Sequence, residues 1–319
     1  MGKQPFILTA IACAVLGWTA TPALALNGRS FVSAQGSDTN SCSLAAPCRT
    51  LQVAVNNTNA GGEVVILNSA GYGIVTINKE ITISSIGVEG SITAGSGQTA
   101  ITINAGAGDH VRLVGLTLIG AGLGSNGIAI QSAQEVAIRD IRITSFLQDG
   151  IKLTDGAAGL TVNHVAVEDN GNVGIDIVPN AANGSGAGIV SAYLNDVDAA
   201  GNNTADVFID STNLGSSGTV SALLSDIHVG RSPVGIQVQG TGSSAQAVAM
   251  ITGSRLFANQ TGLVTSGLAP VVFLDRTQIS GNATGVSVGV TGTVLTYANN
   301  AINGNGADVN GTLTQVAAK

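Results

Sequence analysis

A unit that repeats between residues 127 and 309 limits most strongly how this chain can fold. Each unit opens with glycine or aspartate before a short alternating apolar strand, and successive openings lie 23 to 32 residues apart. The openings are Gly127, Gly150, Gly174, Asp206, Gly235, Gly262, Gly285 and Asp308. A repeat of this length indicates a solenoid in which each unit forms one coil.

Each unit continues with two more strands, which are separated by a two-residue polar break. Residues 136–138 and 141–143, for example, flank Arg139 and Asp140. Alternation of apolar and polar residues over such short runs predicts strands with one buried face. One unit can bury that face only against its neighbours. The sequence therefore predicts an all-β fold, a right-handed single-stranded parallel β-helix of about ten coils with three parallel sheets.

Two columns of the repeat carry residues that tolerate a positive backbone φ. One column precedes the first strand and is glycine or aspartate almost throughout. The other is the second residue of the polar break, which reads Gly115, Asp140, His164, Asp196, Asp226, Gly253 and Arg276. Gly, and to a lesser degree Asp, Asn and His, tolerate the left-handed region, so both columns are predicted to be turns with a left-handed residue. Arg276 does not fit this pattern.

The N-terminus has the features of an export signal. Lys3 precedes an apolar run over 6–18, and residues 22–25 end in a small-x-small cleavage site. Residues 1–25 are therefore predicted to be a signal peptide, with the mature chain starting at Leu26. The alternative is a lipoprotein anchored through Cys13, although the residues before it lack the usual leucine. We expect an exported protein in the periplasm, on the cell surface or outside the cell.

Cys42 and Cys48 are the two cysteines that remain after the signal peptide. In an exported chain such a pair predicts a disulfide, here closing a small loop before the first coil. Residues 49–57 then predict a helix that covers the open end of the first coil. This gives an N-terminal segment and cap over 26–61 and a β-helix over 62–319. Further metal ligands are not found near the cysteines in the sequence, so no metal site is predicted.

The composition narrows the classes of partner. Charged residues make up 10% of the chain, and its net charge is −7. An acidic, weakly charged surface argues against a nucleic-acid partner. No internal run reaches the roughly 18 consecutive apolar residues of a membrane-spanning helix, so no span is predicted.

Five short segments precede the coils. They read Phe31-Val32-Ser33, Gly36-Ser37-Asp38, Pro47-Cys48-Arg49-Thr50, Gly61-Gly62-Glu63-Val64 and Gly71-Tyr72-Gly73. Together with the coils, they resemble exported bacterial right-handed β-helix proteins of the pectin-lyase-like superfamily. The resemblance covers essentially the whole mature chain and implies the fold. The superfamily includes polysaccharide lyases, hydrolases, epimerases and adhesins, so the resemblance leaves the activity open.

In enzymes of this superfamily a polysaccharide lies along one parallel sheet beside lengthened turns. The lengthened turns of this chain, 180–188, 211–218 and 240–246, all follow the first strand of three consecutive coils. They predict one wall of a groove on the sheet of first strands. Phe208, Gln237 and Gln239 occupy outward positions beside that wall and are the candidate binding residues.

Lys152, Asp176 and Asp210 also occupy outward positions of the first strands, where they are expected to face solvent, and are the candidate catalytic residues of this groove. Asp176 and Asp210 lie on adjacent coils, and their Cα atoms should be about 8 Å apart. A pair of carboxylates about 6.5 to 9.5 Å apart suits an inverting glycoside hydrolase. Lys152 would serve as a lyase base if its pKa were lowered, although a carboxylate beside it raises that pKa. The other interpretation is a surface ion pair between Lys152 and Asp176.

Absent motifs favour a role without catalysis. The Asp, His and Arg-x-Lys motifs of the family's hydrolases are missing, and His110, His164 and His228 are interpreted as surface residues. The sequence therefore predicts a secreted, non-catalytic β-helix with a surface, adhesive or glycan-binding role. The alternative is a polysaccharide lyase or glycoside hydrolase. No cofactor is predicted, and calcium enters only under the lyase alternative. The expected partners are a polysaccharide or cell-surface glycan, and an open C-terminal coil would allow end-to-end self-association.

Overall fold

The computed structural model describes residues 2, 26–155, 159–180, 189–214, 218–241 and 246–317. The predicted signal peptide, apart from Gly2, lies outside these residues, as do most of the three lengthened turns. Within the described residues the chain forms 28 short strands and one helix.

The helix and strands follow one another in small groups, one group to a coil. The first coils contain β1 (Asn27–Val32), α1 (Leu51–Asn57), β2 (Thr58–Ile66), β3 (Ala70–Gly71), β4 (Val75–Ile77), β5 (Ile81–Ser84), β6 (Gly90–Thr93), β7 (Ile101–Asn104), β8 (His110–Val114) and β9 (Leu116–Ile119). The middle coils contain β10 (Ile128–Ser132), β11 (Glu135–Thr144), β12 (Ile151–Asp155), β13 (Gly159–Glu168), β14 (Val173–Asn180), β15 (Ile189–Ala200), β16 (Ala205–Asp210), β17 (Thr219–Gly230) and β18 (Val234–Thr241). The last coils contain β19 (Gln246–Thr252), β20 (Arg255–Phe257), β21 (Thr261–Leu268), β22 (Val271–Asp275), β23 (Gln278–Ser280), β24 (Thr284–Val288), β25 (Thr293–Thr296), β26 (Ala301–Ile302), β27 (Ala307–Asn310) and β28 (Leu313–Gln315).

These strands pair in parallel and form two sheets. The first strands of successive coils make a ten-stranded sheet that runs from β4 to β27, and the remaining strands make an 18-stranded sheet. The predicted parallel β-helix is confirmed, with slightly fewer complete turns than the roughly ten coils expected. Two of the three predicted sheets merge because β11, β13, β15 and β17 continue through the corner between the second and third strands.

The core consists of inward side chains stacked from coil to coil. One such column in the ten-stranded sheet is fully buried and contains Ile128, Ile151, Ile175, Val207, Ile236, Leu263 and Val286. Burial of each such side chain contributes about 1.5 to 3 kcal/mol to folding. Neighbouring coils therefore supply the burial that a single coil cannot.

The corner between the second and third strands has the predicted left-handed backbone. All seven residues of that column have φ between +45° and +76°. Arg276, which did not fit the residue pattern, adopts φ +45° like its neighbours. The corner geometry is therefore maintained even where the residue is unfavourable for it.

The glycines before the first strands do not have positive φ, so the prediction of a left-handed turn in this column is wrong. Their lack of a side chain matters instead, because a Cβ on any of them would lie 2.5 to 2.7 Å from a carbonyl oxygen of the next coil. These glycines are Gly127, Gly150, Gly174, Gly235, Gly262 and Gly285. Close stacking of coils, and not backbone freedom, requires glycine here.

A ladder of polar side chains runs beside these glycines. It contains Asn170, Asn202, Ser232, Asn259, Asn282 and Asn305, which we call the asparagine ladder. Each side-chain oxygen accepts a hydrogen bond of 2.9 to 3.1 Å from a backbone N–H of the preceding coil. Asn282 Nδ2 also donates to the Leu256 carbonyl at 3.0 Å. These hydrogen bonds pair backbone N–H groups that would otherwise be buried without a partner at the turn before each first strand.

The glycine column and the asparagine ladder change together at one place. Asp206 stands where neighbouring coils have glycine, and Ser232 on the next coil replaces asparagine. Ser232 Oγ donates to Asp206 Oδ1 at 2.6 Å, and Asn202 Nδ2 donates to the same atom at 2.8 Å. The shorter serine leaves room for the aspartate side chain, so the two departures from the repeat compensate each other.

The predicted capping helix is confirmed as α1, which begins at Leu51, two residues after its predicted start. Gln52 Oε1 accepts the Thr76 N–H at 2.8 Å, and Gln52 Nε2 donates to the Thr76 carbonyl at 3.2 Å. This side chain therefore takes the place of a neighbouring strand at β4, the edge of the ten-stranded sheet. The predicted disulfide between Cys42 and Cys48 is also formed.

The other end of the ten-stranded sheet is β27, whose four residues are all exposed. An exposed edge strand offers unpaired backbone groups to another chain. End-to-end association of two molecules therefore stays a prediction.

We expect Gly262→Ala to lower the free energy of unfolding by about 1 to 3 kcal/mol. The added Cβ would lie 2.7 Å from the Gly285 carbonyl oxygen and 3.0 Å from Ile279 Cγ2. Gly28→Ala is the matched control, because no heavy atom lies within 4 Å of its Cβ position. Urea denaturation of the two variants measures the difference. Equal stabilities would contradict the steric role of the glycine column.

Candidate functional site

The side chains predicted to form a site on the ten-stranded sheet do lie on neighbouring coils. Lys152 pairs with Asp176, and Asp176 pairs with Phe208. Asp210 lies two residues beyond Phe208 and pairs with Gln239 on the next coil. The strand register is the one inferred from the repeat. The charge of Asp210 is close enough to act on the pKa of Asp176, which it raises.

The outward strand positions of Asp176 and Asp210 predict side chains that are exposed to solvent, but both side chains are buried. Asp176 and Asp210 are each only 5% exposed. The expectation that they face solvent is therefore wrong. Carboxylates with so little exposed surface offer a polysaccharide on this sheet almost no direct contact.

Lys152 holds two buried carboxylates together. Its Nζ donates to Asp149 Oδ2 at 2.8 Å and to Asp176 Oδ2 at 2.7 Å. Asp149 Oδ1 accepts from Asn172 Nδ2 at 2.7 Å and from the Val173 N–H at 3.1 Å. Asp176 Oδ1 has no hydrogen-bond partner among the described residues. The ion pair that the sequence allowed as the alternative to catalysis is thus present.

Burial and ion pairing act in opposite directions in this cluster. Burial is the largest effect on Asp176 and raises its pKa to about 6, although Lys152 acts to lower it. Burial also acts to lower the pKa of Lys152, but the bonds and charges of Asp149 and Asp176 outweigh it and raise that pKa. The pair stays charged at neutral pH, and burial, with smaller contributions from the charges of Asp149 and Asp210, accounts for the raised pKa of Asp176. A lysine with a raised pKa is the opposite of what a lyase base requires.

Asp210 is held in a local turn. Its Oδ1 accepts the Thr212 N–H at 2.7 Å, and its Oδ2 accepts from Thr212 Oγ1 at 2.8 Å. Both oxygens therefore already have partners two residues along the chain. An aspartate bonded in this way is typical of a turn.

The candidate binding residues Phe208, Gln237 and Gln239 are half-buried. Gln237 Nε2 donates to Gln239 Oε1 at 3.3 Å and to Ser266 Oγ at 3.1 Å. Ser266 Oγ in turn lies 3.1 Å from Gln239 Oε1. The amides form a small network on the surface of the sheet, and their role in a groove stays a prediction.

The histidines do not gather into a site. Each lies near a carboxylate on the surface: His110 is 3.3 Å from Glu135, and His164 is 2.7 Å from Asp140. His228 lies between two, 3.0 Å from Asp198 and 3.6 Å from Asp226. Across the described ranges, no group of three or more His, Cys, Asp or Glu side chains is arranged to hold a metal ion. In the same ranges, no helix is long and apolar enough to cross a membrane.

A cleft on the 18-stranded sheet was not predicted from the sequence. It has a volume of about 560 Å³ and is lined by residues that include His110, Glu135, Thr161, Ser191, Tyr193 and Ser221. Tyr193 is 40% exposed and pairs with Thr161 on one side and Leu223 on the other. We call this the Tyr193 cleft. It combines an aromatic ring, several hydroxyl groups and, at one end, a histidine next to a glutamate.

The sequence did contain a signal for this cleft. Ala192 and Leu194 are buried, so Tyr193 between them has to point outward. An outward aromatic ring is unusual in a chain with only 3% aromatic residues, and exposed apolar groups mark contact sites. The positions of the lengthened turns directed the prediction to the other sheet.

Comparison with known proteins identifies similar backbones only. No protein-family profile matches this chain, and no curated protein sequence matches it. The crystal structure of pectate lyase Pel9A matches 91% of this chain and 77% of its own, with 15% sequence identity and a TM-score of 0.39. The crystal structure of Dettilon tailspike protein (gp208) matches 83% of this chain and 65% of its own, with 10% identity and a TM-score of 0.40. Function therefore has to be inferred from the contacts of the site itself.

Asp206 is a second buried carboxylate with an unusual pKa. It is fully buried, and its Oδ2 has no hydrogen-bond partner within the described ranges. Burial is the largest effect and raises its pKa to about 7, against the hydrogen bonds from Ser232 and Asn202. A fully buried side chain does not touch a ligand, so its effect is on stability.

We expect the protein to lose stability as the pH rises from about 4 to about 7. Folded Asp206 keeps its proton up to about pH 7, whereas the unfolded chain releases it near its ordinary value of 3.8. Each pH unit in this window removes up to about 1.4 kcal/mol from the free energy of unfolding. Asp206→Asn should flatten this dependence, most clearly above the pKa of about 6 of Asp176.

Chemical denaturation at a series of pH values checks this expectation. Asp226→Asn is the control, because Asp226 is exposed and asparagine also tolerates its φ of +53°. An unchanged pH dependence in Asp206→Asn would show that Asp206 is not the group responsible.

Proposed function

We propose that this protein is an exported, non-catalytic β-helix that binds a glycan in the Tyr193 cleft. The observation that carries the proposal is the exposed ring of Tyr193 in a cleft whose walls include hydroxyl groups of Thr161, Ser191 and Ser221. Pyranose rings present C–H groups that stack on an aromatic face, and their hydroxyls pair with hydroxyls of the protein. A cleft of this composition fits a sugar better than an ionic ligand.

The ten-stranded sheet supports a role without catalysis. Lys152 donates to both Asp149 and Asp176, and Asp210 is bonded within its own turn. A catalytic acid or base has to reach the proton that it transfers. Asp176 and Asp210 are each 5% exposed, and both oxygens of Asp210 and one oxygen of Asp176 are already bonded, so they are poorly placed for this.

Location outside the cytoplasm is part of the proposal. The disulfide between Cys42 and Cys48 supports it, because disulfides persist in oxidising compartments and are rare in the cytosol. The periplasm, the cell surface and the medium all satisfy this condition.

A polysaccharide lyase or glycoside hydrolase is the second candidate. One observation favours it: burial raises the pKa of Asp176 to about 6, and Asp210 lies near it on the adjacent coil. A carboxylic acid with a raised pKa beside a second carboxylate is the arrangement of a general acid and its partner in glycosidases. Under the lyase form of this candidate, calcium would be the expected cofactor.

We expect Tyr193→Ala to weaken glycan binding by about tenfold or more, because it removes the aromatic face of the cleft. Phe257→Ala is the matched control, since Phe257 is 59% exposed on a different part of the surface. A panel of neutral and anionic polysaccharides, followed by calorimetry on those that bind, measures the change. Equal losses in the two variants would contradict a specific role for the cleft.

Asp210→Asn separates the binding protein from the enzyme. The non-catalytic proposal expects no release of reducing ends or unsaturated products from the same panel, with or without calcium, for either protein. Turnover by the natural chain that disappears in Asp210→Asn at an unchanged melting temperature would overturn the proposal in favour of the second candidate.

A further inference from the structure

Tyr193 is the first residue of an apolar column on the outer face of the 18-stranded sheet. The column contains Tyr193, Leu223, Met250, Phe273 and Leu295, which are paired directly with one another from coil to coil. Tyr193 and Leu223 are exposed, and the other three are half-buried. Each of five consecutive coils thus presents one large apolar side chain at the equivalent position of its strand.

The column has polar ends. Thr161 precedes it on one side, and Thr314 follows it on the other. The corresponding outward column of the ten-stranded sheet is mixed over the same five coils, with Asp176, Phe208, Gln237, Val264 and Ser287. An unbroken outward run of five large apolar side chains is therefore a feature of the Tyr193 column and not of this one, and an exposed apolar stripe marks a contact surface.

The surroundings of the column carry almost no charge. The outward positions beside it are Ser191, Ser221, Val248, Val271 and Thr293. The nearby carboxylate, Asp275, accepts from Thr252 Oγ1 and Asn299 Nδ2, both at 2.7 Å, and its charge is paired with that of Arg276, whose Nε lies 3.0 Å away. A stripe without free charge is complementary to an uncharged ligand.

We propose, resting on the proposed function, that the ligand is a neutral polysaccharide whose extended chain lies along the apolar column, parallel to the axis of the β-helix. Consecutive coils are about 4.8 Å apart, so the column extends over about 19 Å from its first coil to its fifth. This spacing is close to the length that one pyranose unit adds to an extended chain with equatorial linkages. One sugar ring can therefore place its C–H face on each coil, beginning at Tyr193.

The hydroxyl groups beside the column favour this ligand over a second copy of the chain. A second copy would present the same apolar column with the same spacing, so the spacing fits both partners. The hydroxyls of Ser191 and Ser221 lie beside the first two members of the column, where a sugar can bond to them. Chains with equatorial hydroxyl groups are favoured, since both of their ring faces are apolar.

A length series of neutral β-1,4-linked glucose oligosaccharides tests this proposal by calorimetry. Affinity should rise with each added unit and level off at about five, the number of coils in the column. Phe273→Ala should weaken binding of the longest chain by about tenfold while leaving the shortest chain, bound near Tyr193, unchanged. Phe257→Ala is again the control, and oligogalacturonate of equal length should bind more weakly because it is charged.

The outcomes separate the two proposals. If no glycan binds at all, the proposed function fails. If glycans bind and Tyr193→Ala weakens them, but affinity does not depend on length or Phe273→Ala has no effect, the axial chain is wrong and the cleft stands. A loss of self-association in Phe273→Ala, measured by light scattering, with unchanged glycan binding would identify the column as an interface between copies of this chain and overturn the inference.

Discussion

Close vertical stacking of one coil on the next is the constraint on which the rest of this structure depends. Backbone hydrogen bonds set the distance between coils, and at the start of each first strand that distance leaves no space for a Cβ. A methyl group on Gly262 would lie 2.7 Å from the next coil's carbonyl oxygen. The asparagine ladder fills the adjacent space, with Asn282 bonded both to Asn259 and to the Leu256 carbonyl. Glycine and asparagine are therefore two parts of one packing arrangement.

The coils around Asp206 depart from this arrangement and also carry the buried acids. Ser232 replaces an asparagine, Asp206 replaces a glycine, and the pKa of Asp206 rises to about 7 because burial dominates. Asp176 and Asp210 lie on the same stretch of coils, next to the lengthened turns. Burial of these carboxylates lowers the free energy of unfolding by an amount that depends on pH. Such a region is where an enzyme would be expected, yet the partners of these carboxylates lie within the chain itself.

On the 18-stranded sheet, by contrast, large apolar side chains lie at the surface. Tyr193, Leu223 and Phe273 lie on the outer face, where a soluble β-helix would ordinarily have polar residues. Buried acids and exposed apolar columns are both informative, because each runs against the usual partition of side chains. Burial of the acids raises the pKa values of Asp176 and Asp206. The apolar column is the basis of the proposed binding surface.

The architecture could be predicted from the amino-acid sequence, because repetition and alternation are properties of the chain and can be read one coil at a time. It predicted the parallel β-helix, the left-handed corner that includes Asp140, the capping helix and the disulfide of Cys42 with Cys48. It also placed Asp176 and Asp210 on neighbouring coils. Their burial and the existence of the Tyr193 cleft were decided only by the tertiary structure. Both depend on what stacks above, below and across from a residue, and such neighbours are 23 to 32 residues away along the chain.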